Sequence, residues 1–272
     1  MIVKNIDNIK WKKLVEYAVH NCDTVVLSKR YDQWQTRNNK VQAYLSSFVN
    51  LSDVKVISSI LNIEDFLEED EIFDMPESVL NKPLLVPKIV VSVEPIESFC
   101  KKFYSDLKFK SLLLELGFLK DTDSSNFNII DSVIRENISW MYYQKKCNEF
   151  IEKYKYEKKL EKDIFFNESY MKNTLLYGKA YKTIYGFKID NSLALELMDS
   201  ECVYEWKWPK RLDDICFLKN DRVWLLSFSN RNFCDIFCEN EREYKYLQSL
   251  GIEFCGHFIK KESITMDDLV EL

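Results

Sequence analysis

The spacing of apolar residues changes along this chain, and that change limits the folds that the chain can adopt. From about residue 96 to residue 186 they recur at every third or fourth position, which is typical of helices. In the last third they form short runs between turn residues, which is typical of strands. We therefore predict a mixed α/β (α+β) protein with an N-terminal α/β region (1–95), a helical middle (96–186) and a C-terminal ββ(β)αβ module (187–272), packed as one body.

Cap residues and prolines locate the elements of the first two regions. Asp7 is a suitable N-cap for a first helix, and Gly117 is a suitable end for the helix that starts at Ile96. Pro83, Pro87 and Pro95 favour an edge position for the strand Leu84–Val93. The other predicted elements are the strands Thr24–Leu27 and Val54–Leu61, a helix over Val41–Leu51 with Val41, Tyr44, Leu45, Phe48 and Val49 on one side, a helix over 129–164, and a helix from Asn167 to Gly186.

The C-terminal module has the clearest turn and cap signals. Lys219–Arg222 fits a hairpin connection, because Asn and Asp tolerate turn geometry. Asn240 followed by Glu243 is a capping-box pattern, and Gly251 ends that helix. The predicted strands are Leu193–Met198, Ile215–Leu218, Val223–Phe228, Phe233–Phe237 and Ile252–Phe258.

Composition narrows the class of protein. With 46% apolar and 14% aromatic residues, the chain can bury enough surface to fold. A formal net charge of −6 does not favour nucleic-acid binding through the phosphate backbone. No apolar run approaches the roughly 20 residues of a membrane-spanning helix, and the N-terminus lacks the apolar segment of a secretion signal. We expect a cytoplasmic protein that does not contact a membrane.

The eight cysteines are interpreted as free thiols in a reducing cytosol, where they pack as small apolar residues. Cys234, Cys238, Cys255 and His257 are an alternative, because together they supply the four ligands of a tetrahedral zinc site. Cys255 and His257 could also form a nucleophile–base pair. The packing interpretation is favoured, and no cofactor is predicted.

Only five of the 272 residues are glycine, and no phosphate-binding loop or dinucleotide fingerprint is present. The segment 64–77 is acidic and contains no basic residue, with Glu68, Glu69 and Asp70 at its centre. Such carboxylates could act in acid–base or metal chemistry, or they could contact a basic partner. A solvated surface is the simpler interpretation.

Two aromatic clusters resemble recognition surfaces, because Trp, Tyr and Arg dominate the binding energy of many protein interfaces. The first contains Tyr31, Trp34 and Arg37, and the second contains Trp206, Trp208 and Arg211. Aromatic side chains between basic ones could also stack on single-stranded RNA. For the second cluster, the favoured interpretation is a buried strand face on which Tyr204, Trp206 and Trp208 alternate.

These observations lead to a hypothesis of a non-enzymatic protein that binds another protein. A bacterial immunity, antitoxin or phage-defence accessory protein is the concrete version, because few glycines and many Asn, Lys, Ile, Phe and Tyr residues are common where codons are AT-rich. One alternative is an enzyme with a cryptic site acting on nucleic acid or nucleotides, using carboxylates of 64–77 or the Cys255–His257 pair. The other is an RNA-binding protein that uses Trp206 to Arg211.

Overall fold

The computed structural model describes residues 1–4, 6–30, 35–61, 84–91, 94–120, 127–156, 158–162, 182–207, 209–229, 233–258 and 265. The helices are α1 (Asn8–Asn21), α2 (Gln35–Leu45), α3 (Ile96–Lys101), α4 (Leu107–Glu115), α5 (Phe127–Tyr154), α6 (Asn191–Met198) and α7 (Glu241–Ser249). The strands are β1 (Val3–Lys4), β2 (Thr24–Arg30), β3 (Val54–Leu61), β4 (Leu84–Val91), β5 (Glu94–Pro95), β6 (Lys158–Lys162), β7 (Lys182–Lys188), β8 (Asp213–Lys219), β9 (Arg222–Phe228), β10 (Phe233–Ile236) and β11 (Glu253–Phe254). The predicted mixed α+β class, with helices in the middle and strands followed by a helix near the C-terminus, is confirmed.

The chain forms two compact units. The first unit combines Met1–Gln35 with Tyr143–Leu272, and the second unit is the segment Thr36–Tyr142. The predicted boundaries at residues 95 and 186 do not coincide with these units, because β2 pairs with strands of the C-terminal half. Packing of the predicted regions as one body stays a prediction.

An antiparallel six-stranded sheet organises the first unit, in the order β10-β9-β8-β2-β7-β6. β2 pairs with β7 from Thr24–Lys188 to Arg30–Lys182, and it pairs with β8 through an irregularity between Val26 and Ser28. Helix α1 begins at its predicted N-cap, since the Asp7 side chain accepts a hydrogen bond from the backbone N–H of Lys10 (2.9 Å). Its apolar face is buried and consists of Trp11, Leu14, Val15 and Ala18.

The hairpin predicted between β8 and β9 is present. Asn220 and Asp221 have φ angles of 49° and 61°, in the left-handed region that Asn and Asp tolerate better than most residues. Gly251 has a φ of 90° directly after α7, as expected for a residue that ends a helix. No described helix is both long and apolar enough to span a membrane.

The second unit contains a small antiparallel sheet in the order β3-β4-β5, together with α2, α3, α4 and part of α5. Strand β4 lies between the other two, so the predicted edge position is wrong, although β5 pairs only with Val90 and Val91. Phe103 lies at the centre of an aromatic core, with ring centroids 5.3 Å from Phe99 and 5.1 Å from Phe109.

Several predicted elements differ from the structure for local reasons. The segment predicted as a strand over Leu193–Met198 is α6, because the Asp190 side chain caps it by accepting the N–H of Leu193 (2.8 Å). The predicted helix 96–116 is interrupted, because Asp106 caps a new helix. Helix α5 ends at Tyr154, and β6 and β7 occupy residues that were predicted to be helical. The predicted strand Ile252–Phe258 is reduced to the two residues of β11.

The buried carboxylate of Glu243 joins α7 to β9 and α1. Its Oε1 accepts hydrogen bonds from the indole N–H of Trp224 (2.8 Å) and the hydroxyl of Tyr17 (2.9 Å). Its Oε2 accepts the backbone N–H of Glu239 (2.6 Å), while the Asn240 side chain accepts the backbone N–H of Glu243 (2.9 Å). The predicted capping pair therefore exists in a shifted form, in which the carboxylate reaches the residue before the N-cap.

Replacing Glu243 with Ala should lower the free energy of unfolding by about 3 kcal/mol, because it leaves buried donors without their acceptor. Urea denaturation followed by circular dichroism measures this change. Glu241→Ala is the matched control on the same helix, since its carboxylate is exposed and pairs with the exposed Lys245 (2.8 Å). The control should leave the unfolding midpoint nearly unchanged. Equal destabilisation by both substitutions would contradict the central role of Glu243.

Candidate functional site

The two predicted aromatic clusters fall largely outside the residues that the structure describes. Tyr31, Trp34 and Trp208 lie outside them, as does the acidic segment with Glu68, Glu69 and Asp70. Arg37 lies within α2. The proposed roles of these residues in partner binding stay predictions.

Trp206 lies inside the first unit and is only 1% exposed, so its predicted contact with a partner does not fit this structure. Its indole N–H donates to the hydroxyl of Ser200 (2.9 Å), which also accepts the indole N–H of Trp11 (2.9 Å). The guanidinium of Arg211 lies 5.0 Å from the Trp206 ring and bonds to Asp199 (3.1 Å). The favoured interpretation of a buried strand face agrees with the burial of Trp206, but the predicted strand is wrong, because Val203–Glu205 forms a 3-10 helix.

The four candidate zinc ligands are not brought together. Cys234 and Cys238 are buried, whereas Cys255 and His257 are exposed. Among the described residues, no three His, Cys, Asp or Glu side chains form a group that could hold a metal ion. The structure therefore does not support a zinc site formed by these four residues.

Charged and polar side chains converge at the end of the sheet where β2 ends and β8 begins. Ser28 is in register with Asp213, whose side chain is fully buried and accepts a hydrogen bond from Nε of Arg30. From α5, the hydroxyl of Tyr143 accepts the backbone N–H of Arg30 (2.9 Å). We call this arrangement the strand-end cluster, which comprises Arg30, Tyr143, Lys207, Asp213, Asp214 and Ser229.

An unusual backbone conformation at Asp214 adds the remaining members. Its φ of 53° is uncommon for a residue other than glycine. Its backbone N–H donates to the carbonyl of Trp206 (3.1 Å), which places Lys207 beside the strand. Its carboxylate accepts the backbone N–H of Ser229 (2.9 Å). Asp214 thus connects both Trp206 and Ser229 to the start of β8.

Burial controls the ionisation of the strand-end cluster. Desolvation opposes the charge on Arg30, but the carboxylate of Asp213 outweighs it, so the pKa of Arg30 rises. Burial lowers the pKa of Lys207, and the charge of Arg30 adds to this effect. Burial, followed by the charge of Asp213, raises the pKa of Tyr143. These directions keep Arg30 and Tyr143 protonated at neutral pH, which favours binding over proton transfer.

The neighbouring thiol is not a nucleophile. Cys147 lies on α5 and forms a hydrogen bond with the hydroxyl of Tyr143. Burial raises the pKa of Cys147 to about 12. Because the thiolate is the reactive form of cysteine, this residue is inert at neutral pH.

A second candidate is a surface of the second unit around the turn between α3 and α4. We call it the apolar surface, and its members are Tyr44, Phe48, Tyr104, Leu107 and Phe127. Phe48, Leu107 and Phe127 are 53%, 77% and 44% exposed. Phe48 packs on Phe103, with ring centroids 5.2 Å apart. Phe127 stacks on Tyr104, with ring centroids 4.3 Å apart.

Charged groups of both signs surround this surface. Tyr44 donates its hydroxyl to Asp106 (2.7 Å), and Tyr104 donates to Asp131 (2.8 Å). The bond to Asp131, together with burial, raises the pKa of Tyr104 to about 12. Lys108 adjoins Leu107 in sequence, is exposed, and takes part in no ion pair within the described ranges.

Sequence analysis missed both candidates. Phe48 was predicted to share the buried side of a helix, but α2 ends at Leu45 and Phe48 lies in the turn that follows. The strand-end cluster had one detectable signal, since Arg30 ends a strand and Asp213 begins another. That signal does not reveal which strands are neighbours.

Comparisons of this chain with protein-family models, with curated proteins and with solved structures found no match.

The burial of the thiols predicts their reactivity. In the native protein, Cys255 should react with a thiol reagent such as Ellman's reagent within seconds to minutes, because it is exposed. Cys100, Cys147, Cys216, Cys234 and Cys238 should react only after denaturation, because they are buried and burial raises the pKa of each. Mass spectrometry of the labelled peptides identifies the reactive thiol.

Cys255→Ser is the control, and it should remove the fast reaction without affecting the slow one. Fast labelling of Cys234 or Cys238 in the native protein would contradict their burial. A chelator that increased the labelling of Cys255 would restore the zinc hypothesis.

Proposed function

We propose that this protein acts by binding another protein through the apolar surface, without catalysing a reaction. The observation that supports the proposal is the exposure of Phe48, Leu107 and Phe127 around a single turn. Large apolar side chains grouped at a surface are typical of protein-binding sites, because their burial in a complex is favourable. Aromatic residues in such positions contribute a large share of the binding energy at many interfaces.

Exposed lysines beside the surface would suit a partner that carries carboxylates. Asp106 and Asp131 accept hydrogen bonds from tyrosine hydroxyls. Lys108 is exposed, and the ammonium of Lys110 lies 6.0 Å from the centre of the Phe127 ring. A partner that presents apolar side chains with carboxylates beside them would match both the apolar contacts and the charge.

A bacterial immunity, antitoxin or phage-defence accessory role is the biological setting that we favour for such a protein. The support for this setting comes from the residue usage of the chain, with five glycines in 272 residues, and not from the geometry of the surface.

The two alternative functions have less support. An RNA-binding protein that used Trp206 for base stacking would need that ring at the surface, but the ring is buried. An enzyme that used Cys255 and His257 would need a third group to orient them, and both residues are exposed. The carboxylates of 64–77 lie outside the described residues.

Leu107→Glu should weaken binding of the partner by at least about tenfold, because it places a charge at the centre of the apolar surface and repels an acidic partner. The partner is first captured from an extract of the source organism and identified by mass spectrometry. Its affinity for purified wild type and variant is then measured by calorimetry. Leu107→Lys should retain more affinity than Leu107→Glu, because its charge attracts the same partner.

Leu195→Glu is the matched control. Leu195 is 69% exposed on α6 in the first unit, so it resembles Leu107 in residue type and exposure. This control should bind the partner as the wild type does. Equal loss of binding in Leu107→Glu and Leu195→Glu, or a protein that captures no stoichiometric partner and stays monodisperse, would contradict the proposal.

A further inference from the structure

The strand-end cluster contains hydrogen-bond donors that lack acceptors. Nη2 of Arg30 and Oγ of Ser229 are buried, and neither has a hydrogen-bond partner among the described residues. Ser229 as a whole is buried, so its hydroxyl is not satisfied at the protein surface. Buried polar groups without a partner are rare in native proteins, so these two atoms are candidates for contact with a ligand.

The guanidinium of Arg30 is held in one orientation. Its Nε bonds to the fully buried carboxylate of Asp213, and its backbone N–H bonds to the hydroxyl of Tyr143 (2.9 Å). The bond to Tyr143 fixes the backbone of Arg30, and the bond to Asp213 restrains its guanidinium, so Nη2 cannot turn freely without breaking the ion pair. The N–H groups of Nη2 therefore need an acceptor that comes to them.

A second cation, Lys207, lies in the segment that bonds to Asp214. It follows Trp206, whose carbonyl accepts the backbone N–H of Asp214 (3.1 Å). The Lys207 ammonium is half-buried, and within the described part of the chain it takes part in no ion pair or hydrogen bond. Burial lowers the pKa of Lys207, although the carboxylate of Asp213 acts in the opposite direction. Asp213 is already neutralised by Arg30.

The residues that carry the three donors, Arg30, Lys207 and Ser229, are linked to the adjacent residues Asp213 and Asp214. Arg30 bonds to the side chain of Asp213, and Asp214 accepts the backbone N–H of Ser229 (2.9 Å) while donating its own N–H to Trp206. Two of the donors carry positive charge and the third is a hydroxyl. A group with several anionic oxygens would satisfy all three, because oxyanions accept strong hydrogen bonds from guanidinium and ammonium groups.

We propose that Arg30, Lys207 and Ser229 bind the oxyanion group of a small-molecule ligand, a phosphate or a carboxylate. Binding gives Nη2 of Arg30 and the hydroxyl of Ser229 their acceptors and supplies Lys207 with a counter-ion. The proposal concerns the first unit and is independent of the proposed apolar surface, which belongs to the second unit.

The test uses inorganic phosphate and acetate as probes with the full-length protein. Calorimetry and thermal unfolding are measured at constant ionic strength, with chloride as the replaced anion. Wild type should bind at least one of the two probes saturably and should unfold at a higher temperature in its presence. Tighter binding of phosphate assigns a phosphate group to the ligand, and tighter binding of acetate assigns a carboxylate.

Lys207→Met should weaken binding of the probe by about tenfold, because it removes a charged donor and keeps the pair between Arg30 and Asp213. Ser229→Ala should weaken it by about fivefold. Without a probe, Ser229→Ala should fold at least as stably as wild type, since it removes a buried hydroxyl that has no partner. Both variants avoid the loss of folding that a substitution of Arg30 could cause.

Lys210→Met is the matched control, because Lys210 lies three residues from Lys207 and pairs with Glu205 (3.2 Å). This control should bind the probe as wild type does. Equal weakening in Lys207→Met and Lys210→Met would show a general effect of charge and would overturn the proposal. Failure of wild type to bind either phosphate or acetate would also overturn it.

Discussion

Strand β2 lies between β8 and β7, and the six-stranded sheet depends on its two rows of hydrogen bonds. The strand comes from the first thirty residues, whereas its neighbours lie more than 150 residues later in the chain. Without β2, the described strands β8, β9 and β10 would have no connection to β6 and β7 through the sheet. The entropic cost of closing a loop grows slowly with its length. Pairing β2 with these distant strands therefore adds little to the cost in stability, but it is slow to form.

The fold was predictable from sequence where a local signal determines the structure. Asp7, Asn240 and Gly251 act at helix ends as their residue types indicate, and β3 has its predicted bounds. The prediction was wrong for α6, because a short run of apolar residues is compatible with a strand as well as a helix. The order of the strands has no local signal at all. It is set by contacts between residues that are far apart in the chain.

The candidate sites were less predictable than the fold, for two physical reasons. Aromatic residues suit both a core and an interface, so sequence left two interpretations of Trp206, which is buried, and placed Phe48 on a buried helix side although it is exposed. The strand-end cluster requires Arg30 and Asp213 to be neighbours, and only the pairing of β2 with β8 makes them so. The Asp106 and Asp131 carboxylates illustrate the same limit, since their tyrosine partners come from other helices or turns.

The division of the chain has a consequence for its synthesis. The second unit is one continuous segment, whereas the first unit needs residues from both before and after it. Because a ribosome produces the N-terminal residues first, the apolar residues of β2 emerge long before β7 and β8 exist. Val25, Val26 and Leu27 must therefore stay shielded throughout the translation of the second unit. A nascent chain stalled within this interval exposes an unpaired apolar strand, which is a template for aggregation and a binding site for chaperones.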